Sequence, residues 1–290
     1  MFLPGQAITR KAATANSKPL KKWAVLIAVG LALSACAGEG RFVDLNSVDP
    51  QAGSAGNIAS LTNVIRDNPN DAAAYNTRGS AYGAAGEFRL ALADFNQAIQ
   101  INPRFYQAYA NRALIKRSSG DLPGALADYN QALAINNSYD VAYVGRGNLY
   151  REQGNAPLAL DNYNQAISFG TIDPRAFHNR GLVYQANGRH GEAIEDFSTA
   201  ISLAPREASP WNGRGASYLA IGNPKSALVD FNESLRRDRN SHTAWTNRGF
   251  TDEQLGNFKD AKAAYQRALS LRSNHRPAVE GLARVSSKAS

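Results

Sequence analysis

A period of 34 residues constrains this 290-residue chain more strongly than any other feature. Between residues 72 and 275 the sequence divides, without gaps, into six consecutive units: 72–105, 106–139, 140–173, 174–207, 208–241 and 242–275. Glycine occupies position 15 of every unit: Gly86, Gly120, Gly154, Gly188, Gly222 and Gly256. An aromatic residue occupies position 24 of every unit: Phe95, Tyr129, Tyr163, Phe197, Phe231 and Tyr265. A repeat of this length predicts similar supersecondary units that stack on one another.

The spacing within a unit predicts two helices, which we call helix A and helix B. Positions 4, 8 and 11 share one face of helix A, and positions 20, 24 and 27 share one face of helix B. The glycine at position 15 can adopt positive φ and therefore ends helix A. Helix B is expected to begin at a capping residue in several units, namely Asp121, Asn155, Asn223 and Asn257. Asp173 followed by Pro174 predicts the start of another helix A.

The pattern resembles the tetratricopeptide repeat. The first unit matches the family at all seven of its characteristic positions: Tyr75, Gly79, Tyr82, Ala91, Phe95, Ala98 and Pro103. The later units depart from it at Ala113 and Ser234, and only Pro103 and Pro205 supply the family's proline. The resemblance implies an all-α, right-handed solenoid of six helical hairpins, with helix A lining its concave side. It also implies a protein or peptide partner.

Shorter segments flank the repeats at both ends. Residues 57–71 predict an N-terminal capping helix, equivalent to a helix B without its helix A. Residues 276–290 predict a C-terminal capping helix that starts at Pro277. Residues 36–56, rich in Gly, Ser, Asp and Ala, predict a flexible tether.

The N-terminal segment resembles a bacterial lipoprotein signal peptide. Residues 1–35 contain five basic residues, no acidic residue and an apolar run at 23–33 that is short for a membrane span. The run Leu33-Ser34-Ala35-Cys36 resembles a lipobox, which implies cleavage before Cys36 and acyl chains on that residue. An ordinary secretory signal with an incidental cysteine is the alternative. Because Ala37 is not Asp, the resemblance further implies the outer membrane, facing the periplasm.

The net charge depends on whether this segment is removed. The whole chain carries +8, and loss of five basic residues leaves +3. The excess of positive charge therefore belongs largely to the export signal, and we do not expect nucleic acid as a partner.

An arginine occupies position 7 of every unit, beside the core face, where its charge requires a partner. We expect structural ion pairs between helices A and B or within helix A: Arg78 with Asp94, Arg112 with Asp128, Arg146 with Asp161, Arg180 with Asp196, Arg214 with Asp230, and Arg248 with Asp252. The alternative is that the arginines form a row that binds an anionic polymer.

The concave groove is expected at positions 2, 5, 9 and 12 of helix A, with position 6 at its rim. Polar residues there are candidates for binding a partner: Asn76, Asn111, Asn148, Asn179, Asn212, Asn247, Arg117, Arg151, Arg175 and His178. Amides suit the backbone of an extended peptide, and the three arginines suit a carboxylate. A merely solvated polar face is the alternative.

No catalytic or metal-binding motif is found, and no cofactor is expected. The four histidines, His178, His190, His242 and His275, fall at different repeat positions, so stacking is not expected to bring them together. The sequence predicts a lipid-anchored scaffold of the cell envelope rather than an enzyme. A pilotin-like protein or a component of barrel assembly is the alternative, an enzyme subunit is less favoured, and self-association is open.

Overall fold

The computed structural model describes residues 51–289, and within that range the chain forms fourteen α-helices and no strand. The helices are α1 (Ala55–Asp67), α2 (Ala72–Ala84), α3 (Phe88–Ile101), α4 (Tyr106–Ser118), α5 (Leu122–Ile135), α6 (Asp140–Glu152), α7 (Ala156–Ser168), α8 (Pro174–Ala186), α9 (His190–Leu203), α10 (Ala208–Ala220), α11 (Pro224–Arg237), α12 (His242–Gln254), α13 (Phe258–Leu271) and α14 (Arg276–Ser286). The expected all-α solenoid is confirmed. The export signal and Cys36 lie outside the described residues.

Each 34-residue unit forms one hairpin, with the even-numbered helices α2–α12 as helix A and the odd-numbered helices α3–α13 as helix B. All six glycines at position 15 have φ between 72° and 85°, which places the end of every helix A at the expected residue. Asp121, Asn155 and Asn223 accept hydrogen bonds from backbone N–H groups at the start of helix B. Asn257 stands at the same position without a side-chain cap.

Successive hairpins stack so that their helices A form the inner row. Within residues 51–289, each helix A contacts the helix A of the next unit, whereas no helix B contacts the following helix B. The aromatic residues at position 24 lie fully buried between the helices. A Cβ added to Gly147, at position 8 of α6, would lie 2.8 Å from the Tyr163 ring, so the two helices of this unit approach closely because glycine has no side chain.

Two further helices close the ends of the stack. Helix α1 packs on α2, and its N-cap is Ser54, so the helix begins slightly earlier than expected and the end of the expected tether is helical. Helix α14 packs on α12 and α13 and buries Val285 against Tyr265. None of the helices between residues 51 and 289 combines the length and the apolar character needed to cross a bilayer.

Candidate functional site

Arginines at position 7 form ion pairs between the two helices of a hairpin in four of the six units. Each donates from Nε and Nη2 to the carboxylate at position 23 over 2.6–2.8 Å. These pairs are Arg78–Asp94, Arg112–Asp128, Arg180–Asp196 and Arg214–Asp230. The hydrogen bond to Asp94 raises the pKa of Arg78, and burial raises the pKa of Asp196 against the opposing effect of Arg180.

Each of the first five arginines also joins its unit to the preceding one. Its Nη1 donates to a polar side chain at position 25 of the preceding helix B, over 2.6–3.2 Å. These acceptors are Thr62, Asn96, Asn130, Asn164 and Ser198. These acceptors were not anticipated from the sequence, although three of them are asparagines at the same repeat position. The 34-residue recurrence of the Asn was the signal that it has a partner.

The pairing expected for the third unit is wrong. Arg146 donates from Nε to Asn162 Oδ1 over 2.7 Å, and Asp161 lies exposed one position earlier. One residue turns a helix by about 100°, so Asp161 faces away from the hairpin joint and a neutral amide occupies the acceptor position. In the sixth unit Arg248 Nε lies 3.4 Å from Asp252 Oδ2, within the same helix as expected.

The asparagines expected to bind a partner's backbone bond instead to one another. Asn111 donates to Asn76 over 3.0 Å, Asn179 to Asn148 over 2.7 Å, and Asn247 to Asn212 over 3.1 Å. Asn76 and Asn111 are 1% and 2% exposed, which removes them from the surface. The assignment of these two residues to a partner is therefore corrected. All three pairs connect the helices A of adjacent units.

From the second unit to α14, position 6 alternates between asparagine and glycine, a pattern that sequence reasoning missed. Where it is glycine, the tip of the preceding unit's aromatic ring takes the space. Added Cβ atoms at Gly145, Gly213 and Gly281 would lie 2.2–2.7 Å from the nearest ring atom of Tyr129, Phe197 and Tyr265 respectively. Adjacent helices A are thus joined alternately by an amide pair and by a ring packed on glycine.

The remaining polar candidates lie in the central units, in α4, α6 and α8. Arg117 Nη1 lies 3.8 Å from Glu152 Oε1. Arg175 Nη2 donates to Oδ2 of Asp173, the N-cap residue of the same helix, over 2.6 Å. His178 is largely buried, and burial together with the nearby Arg151 lowers its pKa to about 4. His178 is therefore neutral at pH 7.

Three of the six buried aromatic residues at position 24 are tyrosines, and the hydroxyl groups of two of them donate hydrogen bonds to polar residues of the groove. Tyr163 donates to Asn148 over 2.8 Å, and Tyr265 donates to Glu253 over 3.0 Å. The Tyr129 hydroxyl is buried without a hydrogen-bond partner, and burial raises its pKa to about 12. A phenylalanine would fill nearly the same space, so a tyrosine at position 24 indicates that polar groups lie near the end of its ring.

A cavity of about 240 Å³ opens at the C-terminal end of the groove, between α12, α13 and α14. Its walls combine apolar and polar side chains: Thr246, Asn247, Phe250, Tyr265, Pro277, Glu280 and Arg284. Phe250 is 40% exposed there, although most other large apolar residues of the helix-A row are buried or half-buried. The cavity can therefore accept an apolar side chain.

The expectation that stacking separates the histidines is wrong for one pair. The rings of His242 and His275 meet edge to face with centroids 4.7 Å apart, because α14, whose N-cap is His275, packs beside α12, whose first residue is His242. Burial and the neighbouring His242 and Arg272 lower the pKa of His275. Among residues 51–289, no cluster of three or more His, Cys, Asp or Glu residues could hold a metal ion.

Comparisons with protein families and solved structures agree with this architecture. A family model described as TPR repeat matches residues 114–154 and 147–188, and models described as tetratricopeptide repeat match residues 72–105, 174–207 and 242–275. These matches together span more than half of the chain. No curated protein matches the sequence.

Several solved structures share the fold. The chain is similar to one in the APC/C hetero-tetramer Cut9-Hcn1, with 19% identity and a TM-score of 0.70 over 81% of this chain and 47% of that one. It is similar to pilF of Pseudomonas aeruginosa, with 19% identity and a TM-score of 0.68 over 73% of this chain and 97% of that one. It is also similar to YrrB, described as a TPR protein with an unusual peptide-binding site, with 25% identity and a TM-score of 0.56 over 64% of this chain and 96% of that one.

Proposed function

Because this chain belongs to the tetratricopeptide repeat family, we propose that it is a scaffold that binds extended segments of protein partners along its inner row of helices A. Tetratricopeptide repeat proteins are typically non-enzymatic scaffolds, and the likeness to YrrB supports a peptide as the occupant. The solvated-face alternative predicts no occupant in the groove.

The cavity beside Phe250 is the observation that carries this proposal. The Phe250 side chain lines the cavity and is 40% exposed. An apolar side chain of a partner that packs against it would be removed from water. Glu280 and Arg284 line the same cavity and can orient the partner's backbone or polar groups. Apolar contact at one end and polar contact along the row together favour an extended protein segment.

We further propose that acyl chains on Cys36 hold this scaffold on the outer membrane, facing the periplasm. The run from Leu33 to Cys36 supports this proposal. Two or three acyl chains anchor a protein stably, because each buried CH₂ group contributes about 0.8 kcal/mol. Tethering raises the local concentration of the groove near its partners. A pilotin-like or barrel-assembly role remains the alternative, distinguished by whether the bound partner is a secretin or a barrel precursor.

Photo-crosslinking in cells tests the groove directly. We expect a crosslinker placed at Thr246 to capture a partner protein, and Phe250→Ala to reduce that capture roughly tenfold, because burying a phenylalanine side chain contributes about 1.5–3 kcal/mol. Val229→Ala is the matched control, since Val229 is 60% exposed on the helix-B row. Equal capture by the two variants would place the partner outside the groove.

A further inference from the structure

The central groove retains hydrogen-bonding groups that the fold does not use. Arg151 Nε, the Tyr129 hydroxyl and His178 Nδ1 are all buried without a hydrogen-bond partner. They belong to units 2–4, whose successive helices A, α4, α6 and α8, contact one another in the inner row. Arg151 also lies close enough to His178 to lower the pKa of that histidine. Buried polar groups in native proteins are normally paired, so this concentration of unpaired groups requires an explanation.

Positive charge is also incompletely matched at this place. The arginine–aspartate pairs of the hairpins close at 2.6–2.8 Å, whereas Arg117 and Glu152 stand 3.8 Å apart and the Glu152 side chain is 42% exposed. Arg117, Arg151 and Glu152 all act electrostatically on Tyr163, so two positive charges and one loosely held carboxylate lie in this part of the groove. The local balance therefore leaves room for one further negative charge.

At the C-terminal end of the same groove, a carboxylate of the chain itself binds to an arginine and a tyrosine. There Arg284 donates to both oxygens of Glu253 over 2.9–3.0 Å, and the Tyr265 hydroxyl donates to the same carboxylate over 3.0 Å. Glu253 occupies position 12 of its helix A, where the central units carry Arg117 and Arg151. A carboxylate between a guanidinium and a position-24 tyrosine is thus an arrangement that this fold already contains.

We propose that the groove between α4, α6 and α8 binds a carboxylate of the partner segment, held by Arg117 and Arg151 beside the Tyr129 hydroxyl. This inference rests on the proposed function. The planar guanidinium groups match a carboxylate in a forked geometry, and a single negative charge balances the site. Neutral His178 adds a hydrogen bond without adding charge. The carboxylate can come from an Asp or Glu side chain or from a chain terminus.

NMR of the full-length protein, observed at the arginine Nε–Hε signals, tests whether a carboxylate binds at Arg151 Nε. The probes are acetyl-Gly-Gly-Asp-amide, acetyl-Gly-Gly-Gly with a free C-terminus, and neutral acetyl-Gly-Gly-Asn-amide. We expect a saturable shift of the Arg151 Nε–Hε signal with at least one charged probe and none with the neutral one. A preference for the first probe identifies an acidic side chain, and a preference for the second identifies a C-terminus.

Variants separate recognition from folding. Arg117→Gln should weaken probe binding roughly tenfold, because it removes charge-assisted hydrogen bonds. Arg151→Lys keeps the charge but loses the fork, and should bind more weakly than the wild type when followed at the His178 signals. Arg236→Gln, whose side chain is 69% exposed on the helix-B row, is the matched control and should leave probe binding unchanged. Circular dichroism confirms that each variant is folded.

The proposal is overturned if neither charged probe shifts the Arg151 signal more than the neutral probe, or if Arg117→Gln binds the probes as well as Arg236→Gln does. Loss of the carboxylate site alone leaves the crosslinking at Thr246 and its dependence on Phe250 intact. Failure of the proposed function abolishes that crosslinking whatever the probes do, so the two failures are distinguishable.

Discussion

At the scale of single residues, the arginine at position 7 is mainly structural. Its guanidinium is planar and offers donors in three directions, so it can bind the carboxylate of its own hairpin and an acceptor of the preceding unit together. It also lies 5.0–5.7 Å from the centre of the position-4 aromatic ring in several units. These contacts leave little of it for an anionic polymer. Lysine, with one compact charge, would not satisfy all of these neighbours.

Removing one such arginine should be costly. Arg214→Met leaves Asp230, whose side chain is 3% exposed, as a buried and uncompensated charge, and we expect a loss of about 3–5 kcal/mol in the free energy of unfolding. Asp230→Asn should cost much less, because the third unit already uses Asn162 as the acceptor for Arg146. Denaturant unfolding followed by circular dichroism measures both.

The comparison for these two variants is Arg276→Ala. Arg276 pairs with Glu280, but its side chain is 88% exposed, so the change should stay within about 0.5 kcal/mol of the wild type. If Arg214→Met and Arg276→Ala destabilise the protein equally, the position-7 arginines are not structural.

At the scale of helices, the row of helices A is held by two kinds of joint in alternation. Asparagine pairs connect α2 with α4, α6 with α8 and α10 with α12. Aromatic rings packed on glycine connect the helices in between, as Phe197 does at Gly213. The asparagines therefore help to hold adjacent units together.

Gly213→Ala tests the ring-on-glycine joint. The added Cβ would lie 2.7 Å from the Phe197 ring, and overpacking of this kind typically costs about 1–3 kcal/mol. The thermal midpoint should fall accordingly. Gly191→Ala in α9 is the matched control, because its Cβ meets nothing within 4 Å and alanine favours a helix by up to about 1 kcal/mol. Opposite shifts are expected from the two variants, and a fall with Gly191→Ala alone would contradict this account.

At the scale of the whole molecule, the stack is a preformed surface and the proposed anchor determines where it works. Helices α1 and α14 cover the two ends of the stack between residues 51 and 289, so its long inner and outer faces stay accessible, and the inner row is the one we propose for a partner. Because this surface is preformed, the proposed scaffold depends more on being close to its partners than on a conformational change. The lipid on Cys36 would supply that proximity.

Cys36→Ser tests the anchor. We expect the wild-type chain to take up radiolabelled palmitate and to fractionate with outer membranes, and the variant to do neither, because no thiol remains to be acylated. Phe250→Ala should fractionate like the wild type and serves as the control for expression and export. Membrane association of Cys36→Ser without label would mean that another feature holds the protein there.

The sequence alone determined the repeat architecture, because a column that recurs every 34 residues can satisfy its packing only by stacking alike units. It identified all six helix ends at position 15 and most of the arginine partners, since the spacing of residues along a helix sets which face they occupy. Asp161 was misplaced for the same reason, because one position along the helix changes the face.

Only the tertiary structure decided which polar residues remain for a partner. Asn76 and Asn111 are 35 residues apart, and nothing in their local sequence shows that stacking brings their amides together. The same holds for the contact between His242 and His275, and for the hydrogen bond that Arg284 donates to the Glu253 carboxylate. Contacts between units depend on how the helices are rotated against each other, and local periodicity does not encode that rotation. Arg117 and Arg151 were predicted as candidates, but only the structure shows that Arg117 lies 3.8 Å from its nearest carboxylate and that Arg151 Nε has no hydrogen-bond partner.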